Sequence, residues 1–179
     1  MNLEQYQADV LREFRRLKKH GDAAIAQVTD EGFFKALDEN SNSIALIVKH
    51  ISGNLHSRWQ DFLTTDGDAP DRKRDQEFIL DPRDSKDRLL ERWEQGWCYL
   101  FDAISSLQAS DFTAIVFIRK EPHSVVQAIN RALVHCAGHV GQIIFLAKHL
   151  AGERWQTLTI PRGKSDEFQA TGKPYLQDD

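Results

Sequence analysis

His135 and His139 stand four residues apart in a stretch of helical periodicity. At about 100° per residue they lie about 40° apart around a helix, so both imidazoles project the same way. That spacing lets two rings chelate one divalent metal from a rigid backbone, with little conformational entropy left to lose. Satisfied core histidines also show it, and seven histidines in 179 residues make chance pairs expected. A metal needs a third ligand, and His50 is the best candidate. It shares a helical stripe with Asn54, Ser57 and Asp61, beside the apolar positions Ile44, Ile47, Ile51, Leu55 and Phe62, and Gly53 leaves space near it.

Other histidines fit less well. His56 is six residues from His50, about 240° around the helix, and cannot share its ion. His149 is rotated away from His139, and His20 and His123 sit near helix ends. Three neutral imidazoles leave an open coordination position, the arrangement of a catalytic zinc-type site. A water or thiol there has its pKa lowered by the cation. Asp61, Ser57 or Gln142 can orient a ligand ring or bond that water, although each also fits a plain solvated or capping role.

The elements that must position these groups are long helices. Leu3, Tyr6, Val10, Phe14 and Leu17 mark an amphipathic helix over about 3–19, which residues 23–28 can extend. A polar run at 38–43 supplies start residues for a second helix over about 43–63. Residues 64–84 read as a long connection with Pro70 and Pro82, and the mixed-charge run at 71–75 as a solvated part of it. Asp84 or Ser85 caps a third helix with the stripe Leu89, Trp93, Trp97, Leu100, Ile104 and Leu107. Thr113 to Ile118 reads as an extended connection, because a single short strand has no partner. The fourth helix is expected from Pro122 to about Ala151, with Gly152 as its stop. The pattern predicts an all-α, single-domain chain over 1–179: a four-helix bundle with a long crossover connection. Residues 152–179 form a tail that packs on the bundle or frays.

Composition narrows the function. The chain carries 23 basic and 27 acidic side chains, interspersed, for a formal charge of −4. That is no footprint for nucleic acid or for an anionic membrane surface. No apolar run approaches the ~18–20 residues of a membrane span. The polar, acidic start argues against a secretory signal, and Cys98 and Cys136 form no disulfide framework, so the cytoplasm is the expected compartment. Glycine-rich phosphate loops and the Glu-x-x-His pairs of di-iron bundles are absent.

His50, followed by His135-Cys136-Ala137-Gly138-His139-Val140-Gly141-Gln142, resembles the DinB/YfiT-like superfamily. Two further stretches resemble one uncharacterised branch of it. The first comprises Asn42-Ser43-Ile44, Lys49-His50, Gly53-Asn54, Ser57-Arg58-Trp59, Asp61-Phe62 and Thr64-Thr65-Asp66-Gly67. The second is Ile160-Pro161-Arg162-Gly163-Lys164-Ser165 with Phe168. The resemblance implies a four-helix bundle with a long crossover and metal ligands His50, His135 and His139. It also implies a divalent ion, zinc or nickel, as cofactor.

Characterised relatives include thiol-dependent S-transferases and isomerases that use bacillithiol, mycothiol or glutathione. A metal-dependent, S-transferase-like enzyme taking a small substrate and a low-molecular-weight thiol is therefore the first expectation. A non-enzymatic metal-binding stress or interaction protein and a metal-dependent hydrolase are the alternatives. His56 departs from the branch pattern, where an apolar residue is expected.

Arg162, on a segment able to fold over the bundle mouth, is a candidate for holding an anionic substrate, with Arg58 and Arg72 behind it. Each also fits a structural ion pair. Finally, Val134, Gly138, Gly141 and Phe145 make the fourth helix apolar on the side away from its main stripe. That small-residue seam suits either a bundle centre or a second subunit, and a homodimer is expected.

Overall fold

The computed structural model describes residues 2–69 and 72–170. Four long helices carry the structure: α1 (Leu3–Ile25), α3 (Ile44–Trp59), α4 (Lys86–Ser106) and α5 (Val125–Ala151). Short helices α2 (Asp30–Phe34) and α6 (Ser165–Ala170) lie outside this set. Each long helix starts where a side chain satisfies its first amides. Asn2 and Ser124 form capping boxes with Gln5 and Gln127, while Ser43 and Ser85 accept from Leu46 and Arg88.

Pairwise contacts fix the directions. Along α1 and α4, Gln7 reaches the Ile104 carbonyl, Lys18 meets Glu94 and Asp22 accepts from the Trp93 indole, so these helices are antiparallel. Tyr6 bonds Asn130 and Gly21 packs near Val140, so α1 and α5 run parallel. Lys49 pairs with Asp84, Gly96 packs on Leu55 and His56 stacks on Tyr99, so α3 and α4 also run parallel. Successive parallel helices need a long return, and residues 60–85 provide it. The chain is therefore an all-α four-helix bundle with a long crossover, as the sequence predicts. Its core holds the α4 stripe Leu89, Trp93, Trp97, Leu100 and Ile104, all fully buried, against Phe14, Ile51, Leu55 and the small α5 residues Ala128, Ala132 and Ala147. No helix among the described residues is long and apolar enough to cross a membrane.

Three expectations need correction. The second long helix ends at Trp59 rather than near residue 63, because Gln60 turns to extended backbone and Asp61 takes φ 53°. Thr113 to Ile118 is not a lone extended connection. Strand β1 (Ile115–Ile118) pairs antiparallel with β2 (Glu121–Ser124), with Phe117 opposite Pro122. Pro122 is thus a strand residue, tolerated because a two-stranded ribbon consists of edges, and α5 begins three residues later behind Ser124. The hairpin was hidden by its turn. Arg119 and Lys120 both take positive φ (55° and 63°), a conformation usually given to Asn or Gly. Asp66 compensates, its carboxylate accepting both turn amides at 2.8 and 2.7 Å, while Gly67 N–H donates to the Phe117 carbonyl at 2.8 Å.

The start of the tail packs on the bundle. Trp155 and Leu158 rest against the core, and Gln156 and Gln27 exchange two hydrogen bonds. Asp71 of the mixed-charge run and residues 171–179 of the tail lie outside the described residues.

Candidate metal centre

Helices α3 and α5 bring His50, His135 and His139 into one cluster, with one potential ligand atom from each within 4.8 Å of the others. His50 is buried on a helix enclosed on most sides; His135 and His139 are half-buried. The His50 and His135 Nε2 atoms are 3.3 Å apart. Ring centroids are separated by 5.3 Å (His50–His135), 4.9 Å (His50–His139) and 4.6 Å (His135–His139).

Hydrogen bonds outside the cluster orient two of the rings. His50 Nδ1 lies 2.7 Å from Glu77 Oε2, and His139 Nδ1 lies 2.8 Å from Gln142 Oε1. A neutral imidazole that donates through Nδ1 keeps its lone pair on Nε2, the atom turned to the cluster. Phe78 stacks on the other face of His50 with centroids 4.7 Å apart. His135 has no such partner: its Nδ1 is enclosed and unbonded.

Charge favours neutral rings at both α5 positions. Burial, then the neighbouring His139 and His50, push His135 down to about 3 from its ordinary 6.5. Burial also lowers His139, partly offset by the Gln142 bond. For His135 the folded pKa lies below the unfolded one, so its contribution to stability is complete above about pH 6.5. It is lost as pH falls toward about 3, because the unfolded chain takes up a proton that the folded chain refuses. Metal-free protein should therefore lose thermal stability across that window, and His135→Gln should flatten the slope. An unchanged slope in the variant would remove His135 as its source.

The donor set fits a metal. Two imidazole nitrogens bound tetrahedrally at about 2.0–2.1 Å sit about 3.3 Å from each other, which is the His50–His135 separation. Without an ion, the two nitrogens share at most one proton, and His135 Nδ1 stays unsatisfied. No fourth histidine, cysteine or carboxylate joins the three among the described residues.

Behind His50 lies the group that sequence reasoning missed. A 3₁₀ turn, Arg74–Phe78, folds the crossover onto α3 and buries Glu77. Arg72 grips the Glu77 carboxylate through Nε (2.8 Å) and Nη2 (2.9 Å), and its Nη1 reaches Asp68 at 3.3 Å. Burial alone would raise the Glu77 pKa, but the His50 and Arg72 bonds outweigh it and bring the carboxyl below its ordinary range. The expectation of a merely solvated connection is therefore wrong at Arg72, whose side chain is 4% exposed. The space beside Gly53 has an owner: a Cβ there would come within 2.5 Å of Glu77 Oε1. A usable signal existed in the sequence, since Glu77 is followed by the apolar run Phe78-Ile79-Leu80, which a solvated loop does not need.

The remaining candidates are dispersed. Ser57 is buried but structural, its Oγ accepting from Ala69 N–H at 2.9 Å and so holding the crossover to α3. Asp61 is exposed on the turn after α3, where its carbonyl accepts the Thr64 and Thr65 amides. Arg58 is buried near His135, and its positive charge helps depress that ring. Arg162 is exposed in the segment between α5 and α6. A separate cavity of about 1010 Å³ opens between the crossover, α3 and α4. Gly53, Arg72 and Glu77 form part of its wall, but the three histidines do not.

A family model described as "Protein of unknown function (DUF1572)" matches residues 2–164. The chain belongs to that family. The match takes in all four long helices, the crossover, the three histidines and Arg162. No curated protein matches the chain. Membership in DUF1572 thus carries no activity with it, and the function of this member has to be argued from its site.

Proposed function

We propose that this DUF1572 protein is a DinB/YfiT-like, metal-dependent enzyme that handles a small thiol, most closely an S-transferase. Convergence of three imidazole nitrogens, with no fourth protein ligand among the described residues, is the observation that carries this reading. His50, His135 and His139 hold the ion, with zinc or nickel preferred because imidazole suits both. When bound, the ion supplies a Lewis acid that lowers the pKa of a thiol or water at its open position.

The chain does the rest. Glu77 accepts the hydrogen bond of the His50 Nδ1–H and, clamped by Arg72, fixes the ring; Gln142 accepts from His139 Nδ1–H in the same way. Neither cysteine serves as a nucleophile of this site. Cys136 is buried with its thiol pushed up to about 12, and Cys98 lies exposed on α4. Arg162 meets the anionic end of a substrate in this reading, and the reducing cytoplasm is the fitting compartment for a thiol cosubstrate.

Cobalt-substituted protein tests the reading. Adding 2-mercaptoethanol or glutathione should shift the visible d–d bands, and His139→Ala should abolish the response. Bands that ignore every thiol, in a protein that turns over ester or amide substrates without one, would move the assignment to a hydrolase. Metal occupancy with neither response would leave a binding protein.

A second copy of the chain is proposed as partner. Val134 and Phe145 are 74% and 67% exposed, and nothing lies within 4 Å of a Cβ built at Gly138 or Gly141. That side of α5 is therefore open rather than inside the bundle. Light scattering should give about twice 20.5 kDa, falling to the single-chain mass in Phe145→Asp; one mass throughout a dilution series would overturn the dimer.

A further inference from the structure

Arg58 is the one feature near the histidines that the metal reading leaves unexplained. The residue is 6% exposed, and its Nε is enclosed with no hydrogen-bond partner. Burying a guanidinium without a counter-charge costs several kcal/mol in general, so an unpaired one in the interior needs a reason. The three strongest charges that bear on it are positive, Arg131, Arg72 and Arg119, opposed only weakly by the buried Cys136 thiol. Burial and those three cations together pull Arg58 down to about 10.

Among the described residues, the carboxylates beside those arginines are taken. Glu77 is held by Arg72 and His50, Asp68 by Arg72 and Arg119, and Glu121 by Arg131. Asp66 is spent on three backbone amides, those of Asp68, Arg119 and Lys120. Each neighbouring arginine thus has an acid of its own, and among the described residues Arg58 has none. Its stem packs beside Gly67, with Cγ 3.4 Å from a Cβ built there. Packing of the stem alone would be served as well by methionine.

We propose that Arg58, backed by Arg72, Arg119 and Arg131, is the seat of an oxyanion, the carboxylate or phosphate-type group of a small ligand. A planar guanidinium offers such a group two parallel N–H donors. The surplus of positive charge supplies what the fold otherwise lacks a reason to gather. Arg58 stands on α3 eight residues beyond His50, about 12 Å along the helix, so the anion lies within a small ligand's length of the metal centre, and that placement alone rests on the three-histidine reading. The substrate class then becomes an anionic small molecule whose other end meets the ion.

The test uses the full chain, both zinc-loaded and metal-free, titrated with acetate and separately with inorganic phosphate against chloride at matched ionic strength. Tryptophan fluorescence and the thermal midpoint are read together. Either oxyanion should bind, and Arg58→Met should weaken it about 10- to 100-fold, the scale of a charge-assisted pair. Arg58→Lys should recover part of that loss.

Preference for acetate identifies a carboxylate subsite and preference for phosphate a phosphate-type one. Equal binding by wild type and Arg58→Met overturns the proposal, as does a wild type that answers neither anion beyond chloride. If Arg58→Met does not fold, wild type and Arg58→Lys decide: undiminished binding by the lysine form refutes the fork geometry. Zinc content on the same samples separates the two ideas. An anion response that depends on Arg58 in protein unable to hold zinc would sink the metal reading and keep this site; full zinc with no response would do the reverse.

Discussion

His135→Ala should bring the metal content of untagged protein from near one ion per chain to background, while the wild type, purified beside it, keeps its ion. Loss of one of three imidazoles exceeds the 10- to 100-fold effect that even an outer-shell change exerts on a metal site, so elemental analysis reads it without ambiguity. The thermal gain on adding zinc to metal-free protein should vanish as well, because binding to the folded form alone stabilises by mass action. A core histidine predicts something different. His135 Nδ1 is already unsatisfied, so no hydrogen bond outside the cluster is lost on truncation, and the variant should stay folded. A wild type that holds no metal after incubation with zinc and with nickel would reduce the three histidines to buried polar residues. The enzyme proposal would fall with them.

Glu77→Gln should weaken metal binding by about 10- to 100-fold with the fold intact. The amide keeps the shape of the carboxylate but supplies no charge to hold the His50 proton on Nδ1. Glu77→Ala should be harsher, because it strands Arg72, whose side chain is 4% exposed and grips Glu77 twice. Breaking a buried pair from one side costs about 3–5 kcal/mol, read as a fall in the urea midpoint. Gly53→Ala reaches the same result through geometry, since its Cβ would stand 2.5 Å from Glu77 Oε1 and displace it. Wild-type affinity in Glu77→Gln would mean that His50 needs no carboxylate behind it.

The hairpin and the 3₁₀ turn share a reason for having escaped the sequence. The turn residues Arg119 and Lys120 carry no turn signature of their own, and Asp66, more than 50 positions away, makes their backbone affordable. Glu77 likewise looks like any charged residue of a linker until Gly53 opens a slot on α3 and Arg72 folds over it. Neither case has a local period to read. Both are long-range pairings in which one partner's type makes sense only beside the other.

What the sequence determined by itself were the quantities that repeat. Four apolar stripes specified the long helices, because burial of one face recurs every three to four residues, and polar start residues marked the second and third. The spacing of His135 and His139 put two rings on one face of α5, and the length of the connection read over 64–84 allowed α3 and α4 to run parallel. Only the tertiary structure decided which third histidine meets them and at what distance, and that a buried carboxylate stands behind it. It also decided that Arg58 is left without an acid among the described residues. Those facts depend on how helices are rotated and docked against each other and on where an irregular segment packs. They come from summed contacts between distant parts of the chain, which no run of neighbouring residues encodes.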